Sequence, residues 1–422
     1  MKVSVLTLGC PKNQADTNRL LGSAAGRGVD YEADPARADV IMVNTCGFIE
    51  EAKRESIDEI LSLASSKKEG QKLLVFGCLA KRYENELRAE LPEVDAFFGV
   101  DADEAILNYL GAGTRPASGG FHPSVASLSL RHSVPLKVAE GCDRTCTFCV
   151  IPSIRGSFRS LDPRDIISEA EALLGGGAKE LILVAQDLTN YEYRGYRLKD
   201  LLRDLARLGG EHWVRPMYFY PTNIDAPLIE AMASEPSITK YVDMPVQHSS
   251  ERVLRAMGRP GGRKEYMEKL GLIRSIMPEA ALRTSVIVGF PGETGDEFGH
   301  LMSFLQEARF HWVGAFRYSP EEGTPAASMQ GQVEEEEKEA RIEELLEQQA
   351  GISAELNQVH VGRTMRVLID EAEPERALAR TEHQAPDIDG LTIVNAPSLV
   401  PGDFMDVRIT GAHEFDLEAG PA

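Results

Sequence analysis

The first 110 residues alternate short apolar runs with segments of helical periodicity. Three of the runs, Val3–Leu8, Val40–Val43 and Leu73–Phe76, are β-rich and nearly unbroken by polar residues, as in strands buried on both faces of a parallel sheet. The segments Asp16–Ala25, Glu50–Ala64 and Asp103–Leu110 have helical spacing, and Ala96–Val100 supplies a last strand. This pattern predicts a Rossmann- or flavodoxin-like α/β domain over residues 1–112. Gly, Pro and Ser then crowd residues 111–120, the composition of a linker.

The alternation resumes at Pro135. Strands are expected at Leu136–Ala139, Glu180–Val184, Val214–Phe219, Tyr241–Met244, Leu282–Val288 and Val313–Phe316, with helices such as Pro163–Leu174, Arg197–Leu208, Asp225–Ala233 and Asp296–Ala308 between them. Six βα units fit an incomplete, TIM-like (βα)6 barrel better than a full one of eight. A long amphipathic helix over residues 334–359 follows, with Ile342, Leu345, Leu346, Gln349, Ile352 and Leu356 on the face toward the barrel and a solvated acidic run at its start. Beyond it, Thr364–Ile369, Leu391–Val394 and Phe404–Ile409 alternate with turn residues and predict a small antiparallel β-barrel. The expected domains are therefore 1–112, 128–357 and 358–422, an α/β chain with an all-β end.

Composition changes this picture little. The 422 residues exceed one hydrophobic core, no apolar run has the length of a membrane span, and the apolar start is too short for a signal peptide, so a cytosolic location is expected. Charge is more informative. The net charge of −21 opposes broad electrostatic binding to nucleic acid. Residues 358–422 hold 12 Asp and Glu against 5 Arg and no Lys, a net of −7, which suits a basic protein partner better than RNA. An acid excess that only maintains solubility is the plainer alternative.

The six cysteines carry the chemistry. Cys142, Cys146 and Cys149 form a C-x3-C-x2-C cluster after the first strand of the expected barrel, at the mouth where barrel active sites lie. Disulfides are improbable in a reducing compartment, and a structural zinc site wants four ligands. Three thiolates on a cubane, usually held by four, leave one iron open to a substrate. Cys10, Cys46 and Cys78 each follow an apolar strand of the first domain. Ligands of open α/β sheets gather beyond the carboxyl ends of the strands, so these three can converge despite their separation in sequence.

The three-Cys spacing resembles the radical S-adenosylmethionine superfamily, with Phe148 as its usual aromatic before the third Cys. The whole arrangement resembles the methylthiotransferases, whose last domain is known as TRAM. Gly9-Cys-Pro-Lys-Asn, Asn44-Thr-Cys-Gly-Phe-Ile, Glu140-Gly-Cys-Asp-Arg-Thr-Cys-Thr-Phe-Cys and Ile151-Pro-Ser-Ile-Arg-Gly are similar to the branch that modifies an aspartate of small-subunit ribosomal protein twelve, a basic protein. The resemblance implies two [4Fe-4S] clusters. Cys142, Cys146 and Cys149 would hold the one that cleaves S-adenosylmethionine to a 5′-deoxyadenosyl radical, which takes hydrogen from the aspartate β-carbon. Cys10, Cys46 and Cys78 would hold the one that carries the sulfur, methylated by a second S-adenosylmethionine. A reductant protein such as a flavodoxin or ferredoxin and a sulfur donor are implied as partners, and no membrane.

Phe148 before the third Cys, Gln186 and Asp187 after the second barrel strand, Gln247 after the fourth and Gly289 after the fifth are the expected S-adenosylmethionine contacts. The family's Gly-Gly-Glu motif is altered here to Gly177-Ala-Lys-Glu180, which leaves Glu180 without an assigned role, and Arg155 is expected to be a salt-bridged structural residue, with contact to cofactor or substrate as the alternative. The alternatives are a transfer-RNA methylthiotransferase, which calls for a basic terminal barrel; a non-catalytic iron–sulfur or zinc protein, which has no use for three-ligand sites; and a radical enzyme that transfers methyl without sulfur, which leaves the first three cysteines unexplained.

Overall fold

The computed structural model describes residues 1–112 and 132–422. From residue 113 onward the expected linker lies outside the described residues, as does the expected start of the central domain at residue 128.

The N-terminal unit begins with β1 (Lys2–Thr7), α1 (Pro11–Ala25), β2 (Asp30–Tyr31), β3 (Val40–Thr45) and α2 (Glu50–Ser66). It ends with β4 (Lys72–Gly77), α3 (Cys78–Arg82), α4 (Glu84–Glu90), β5 (Ala96–Phe98) and α5 (Asp103–Tyr109). Its five strands are parallel in the order β2-β1-β3-β4-β5, so the three cysteine-bearing strands are neighbours. Successive side chains serve opposite faces. Val40 and Met42 pack with Leu20 and Leu21 of α1, while Ile41 and Val43 pack with Ile60 of α2. Helix α1 starts at Pro11 rather than at the expected Asp16, because proline with its fixed φ suits the first helical position.

The central unit opens with β6 (Ser133–Lys137). A short antiparallel pair, β7 (Ala139–Glu140) and β8 (Arg159–Ser160), brackets the three-Cys loop and α6 (Ile151–Arg155). Then come α7 (Pro163–Gly175), β9 (Glu180–Val184), the small hairpin of β10 (Glu192–Tyr193) and β11 (Tyr196–Arg197), α8 (Leu198–Ala206), β12 (Trp213–Pro216) and α9 (Ala226–Ser234). The unit continues with β13 (Tyr241–Asp243), α10 (Glu251–Ala256), α11 (Arg263–Ile276), β14 (Ala281–Val288), α12 (Gly295–Ala308), β15 (Trp312–Arg317) and α13 (Glu335–Gln358). Two parallel sheets, β6-β9-β12 and β13-β14-β15, meet through a parallel bridge from Val214 to Ile238 and the Phe219 N–H donating to the Asp243 carbonyl. Together they form the six-stranded partial barrel. The first strand includes Pro135 instead of starting after it. It lies at the sheet edge, where a missing N–H costs no ladder bond. Along α13, Leu345, Gln349 and Ile352 are buried as expected, but Leu346 faces solvent, and Lys338 and Arg341 take buried places by bonding the Tyr318 carbonyl and Glu293.

The terminal unit is a closed barrel of β16 (Thr364–Ala372), β17 (Ala377–Thr381), β18 (Thr392–Val394), β19 (Phe404–Ala412) and β20 (Leu417–Pro421), ordered β16-β17-β18-β20-β19. It is not antiparallel throughout, since β18 and β20 run parallel. A closed ring of five strands cannot alternate direction without one such pair. This barrel caps the N-terminal ends of the central strands. Arg380 bonds Glu180 and Ser133, His132 bonds Asp370, Tyr241 donates to Asp389, and the Trp312 indole donates to the His383 carbonyl. Glu180 is thus a buried anchor between Arg215 and Arg380, at the end of the barrel opposite its mouth.

Candidate active site

Cys46 and Cys78 stand directly after β3 and β4 and Cys10 three residues after β1, and each adjoins a glycine whose missing side chain lets the next loop close in. A Cβ on Gly9 would meet the Cys46 Cβ at 2.6 Å and its Sγ at 3.0 Å; on Gly47 it would meet the Leu79 Cα at 2.8 Å; on Gly77 it would meet the Asn44 Oδ1 at 2.4 Å. Gly9 and Gly77 also have φ of +88° and +101°, conformations that favour glycine. Buried Asn13 stands between the thiols. Its amide donates to the Leu8 and Thr45 carbonyls, and its Oδ1 accepts from Arg155 at 2.8 Å while lying 3.8 Å from the Cys78 sulfur and 4.0 Å from that of Cys10. These contacts bring Cys10, Cys46 and Cys78 to one end of the sheet, around Gly9 and Asn13.

Cys142, Cys146 and Cys149 lie in a loop held at both ends. The Cys142 N–H donates to the Gly156 carbonyl, and Thr147 donates through its N–H to Met257 and through its hydroxyl to Ala256. The Arg144 N–H points at the Cys142 sulfur at 3.4 Å, and an Arg259 nitrogen is 3.9 Å from that of Cys146. All six cysteines are free thiols. Burial pushes the thiols of Cys78 and Cys149 up to about 12 and raises those of Cys46 and Cys142, so each waits on a cationic partner to ionise. Among the described residues no three His, Cys, Asp or Glu side chains close on a single point, as a bare ion requires. A cubane takes one thiolate per iron corner instead, so this spacing bears on a bare ion and not on a cluster.

The two triads share one mouth. Cys78 packs against Val150 and Ile154, so the helix it heads, α3, meets α6, which follows Cys149. Two tyrosines after β12 complete the link. Tyr218, at φ +64°, carries the Lys12 ammonium 3.8 Å from its ring centre, and Tyr220 carries Arg144 at 3.7 Å and Arg259 at 4.5 Å. Beneath them buried Arg155 bonds Asp16, Glu140 and Asn13, joining the α1 helix to the barrel, and Lys137 bonds Asp16 and Glu140. Burial of the N-terminal unit on the barrel is completed by Glu321, which accepts from Lys53 and Arg82. A cavity of about 290 Å³ touches Cys10, Gln14, Ile182, Met217 and Tyr218 and reaches the terminal-barrel residues Ala385–Ile388.

Of the expected S-adenosylmethionine contacts, Phe148 packs edge-on against Phe290 at 6.5 Å, and Gln186 stands half-buried after β9. Gln247 has a left-handed backbone, φ +69°, and bridges to Val286 through its main chain. Gly289 is accounted for differently: a Cβ there would meet Lys338 at 2.3 Å, so the helix α13 uses its close approach. Asp187 holds Arg144 and Thr189. Sequence reasoning passed over Asn13, Lys12, Arg144, Arg259, Tyr218 and Tyr220. The first two sit inside the Gly-Cys-Pro-Lys-Asn segment that the resemblance singled out, and Arg144 inside the three-Cys spacing.

Comparison with known proteins agrees with this geometry. The chain is 46% identical over 421 residues to the ribosomal protein uS12 methylthiotransferase RimO of Thermodesulfovibrio yellowstonii, covering 98% of each. It is 46% identical over 433 residues to that of Anaeromyxobacter sp. (strain Fw109-5), covering 99% of this chain and 92% of the relative. The chain belongs to the ribosomal protein uS12 methylthiotransferase family. Residues 2–99 match the uncharacterized protein family UPF0004, 136–305 the radical SAM superfamily and 361–421 the TRAM domain. The fold is that of a radical S-adenosylmethionine methyltransferase, TsrM, from Kitasatospora setae, at 13% identity and a TM-score of 0.56 over 89% of this chain and 80% of that one. This methylthiotransferase is accordingly a transferase that uses S-adenosylmethionine and an iron–sulfur cluster. No helix among its described residues is long and apolar enough to cross a membrane.

Proposed function

We propose that this methylthiotransferase adds a methylthio group to the β-carbon of an aspartate in ribosomal protein uS12. The observation that carries the reading is that two thiol triads, one from the sheet of the first domain and one from the barrel, stand over the same mouth. Cys142, Cys146 and Cys149 would hold one [4Fe-4S] cluster and Cys10, Cys46 and Cys78 a second. When bound, the first supplies the electron that cleaves S-adenosylmethionine, and the second presents the sulfur to be delivered.

The chain's own residues orient and shield. Asn13 and Arg155 hold the first loop against the barrel, so that the two triads keep a fixed relation. Phe148, Gln186 and Gln247 would line the side of the mouth where S-adenosylmethionine binds, with Arg259 beside Cys146; Gly289 is left out of this assignment because Lys338 fills its space. The N-terminal unit packs against the mouth through Lys53, Arg82 and Arg155 and would shield a reactive centre from water. The acidic terminal barrel would meet the basic substrate protein, and a flavodoxin or ferredoxin would deliver electrons in the cytoplasm, with a separate sulfur donor.

The test is anaerobic incubation of the reconstituted enzyme with S-adenosylmethionine, dithionite, sulfide and uS12, read by mass spectrometry. A methylthio increment on one aspartate is the expected result. Modification of transfer RNA with uS12 untouched would contradict it.

A further inference from the structure

The reaction needs something that recognises the side chain to be modified. An unactivated methylene must be held beside the radical, and the only strong handle an aspartate offers there is its carboxylate. Most cations around the mouth are already committed. Arg155 is divided between Asp16 and Glu140, Lys137 serves the same two acids, Arg144 is held by Asp187, and Arg283 by Asp243. Arg259 has no carboxylate within salt-bridge distance among the described residues, but it donates to the Pro245 carbonyl and lies beside Cys146, on the other triad.

Lys12 differs from all of these. It is half-buried, and among the described residues its ammonium makes neither an ion pair nor a hydrogen bond; its one close partner is the face of Tyr218, at 3.8 Å. Tyr218 follows β12 at the carboxyl ends of the barrel strands, in a left-handed backbone at φ +64° that a non-glycine residue adopts only when its surroundings enforce it. The Tyr218 N–H donates to Asp243 at 3.1 Å, which fixes the ring beneath the lysine. Besides the Cys10 thiol two residues before it, the acids that act on Lys12 are Glu140 and Asp243, and both are saturated by Lys137, Arg155 and Arg283. Lys12 also lies in the first turn of α1, a fifteen-residue helix whose start has no side-chain cap, so the helix dipole favours an anion at the same place.

We infer that Lys12, stacked on Tyr218 two residues from Cys10, is the anchor for the carboxylate of the aspartate that is modified. The inference rests on the proposed action on a protein aspartate and deepens it. Lysine is a compact point charge that leaves the β-carbon free to face the two triads, and the aromatic face holds the ammonium without neutralising it. Lys12 in this view is a specificity-determining residue: it separates a carboxylate-bearing substrate from an uncharged one.

The experiment compares wild-type enzyme with Lys12→Gln and Lys12→Arg on uS12 carrying either Asp or Asn at the target position, with product measured by mass spectrometry. Iron content and substrate-free cleavage of S-adenosylmethionine are followed alongside. The wild type should prefer Asp by at least tenfold in kcat/KM. Lys12→Gln should lose most of that preference while keeping its iron and its uncoupled cleavage, and Lys12→Arg should regain part of it. A Lys12→Gln enzyme with the wild-type Asp/Asn ratio would overturn the inference. If Lys12→Gln lost iron, the affinities of the Asp and Asn substrates for Lys12→Gln would decide it, with wild-type discrimination in binding counting against the lysine. A wild type inactive on uS12 altogether would strike the proposed function instead, a distinct result.

Discussion

At the residue scale, the site depends on what is missing as much as on what is present. Gly9, Gly47 and Gly77 let three strand-end loops approach until Cys10 and Cys78 flank Asn13 and Cys46 closes on Gly9, and no side chain could stand in for them. Gly9→Ala should therefore do more than its size suggests. A left-handed backbone costs a non-glycine residue roughly 1–2 kcal/mol, and the new methyl would also collide with Cys46. The expected outcome is a folded protein that has lost about half of its iron, in the proportion of one cluster of two. Full iron incorporation by Gly9→Ala would show that the loops have slack the geometry denies. The cysteines themselves were legible in the sequence, because spacing and position after apolar strands are local facts. Asn13 and Lys12 were not, since a buried amide and an ammonium on an aromatic face have meaning only against partners such as Arg155 and Tyr218 that lie over 100 residues away.

At the scale of elements, apolar periodicity located most strands and helices of the first two units to within a few residues. Its failures have local causes. The strand at Ala377–Thr381 went unread because Ala and Arg carry little β-signal, and Leu417–Pro421 because Gly and Pro argue against a strand. Both are held by a closed barrel that supplies their partners. The join between that barrel and the central one is equally invisible from sequence, since it is made of charges. Glu180, wholly buried between Arg215 and Arg380, has its carboxyl held down to about 2 by those guanidiniums, against an ordinary value of 4.5. The sign follows from linkage: a depressed carboxyl contributes stability that is complete above pH 4.5 and is lost as pH falls toward about 2. The contribution is on the order of 3 kcal/mol. Glu180→Gln should thus be clearly less stable than wild type at pH 7, and the gap should narrow as pH falls through this window, as measured by urea denaturation. A gap independent of pH would mean that packing, not charge, makes the joint.

At the scale of the whole molecule, the three units divide the labour along one axis. In the proposed function the N-terminal sheet and the barrel mouth hold the chemistry, while the terminal barrel seals the opposite end and presents an acidic surface. Glu371, Glu373 and Glu375 are exposed there, in a chain whose overall charge is −21. If that surface receives basic uS12, reversing these three charges to lysine should weaken binding several-fold at low ionic strength, with the difference fading as salt screens it. Binding by anisotropy across a salt series measures this, and an unchanged affinity at every salt concentration would remove the terminal barrel from substrate recognition.

The claim on which the rest depends is that this chain carries two open three-thiolate clusters. Iron and sulfide analysis with Mössbauer spectroscopy on anaerobically reconstituted protein tests it directly, alongside one variant lacking Cys10, Cys46 and Cys78 and another lacking Cys142, Cys146 and Cys149. The expected result is about eight irons in the wild type and about four in either variant, all in cubane form. Wild-type protein with about four irons, or with zinc bound at either triad, would contradict the account.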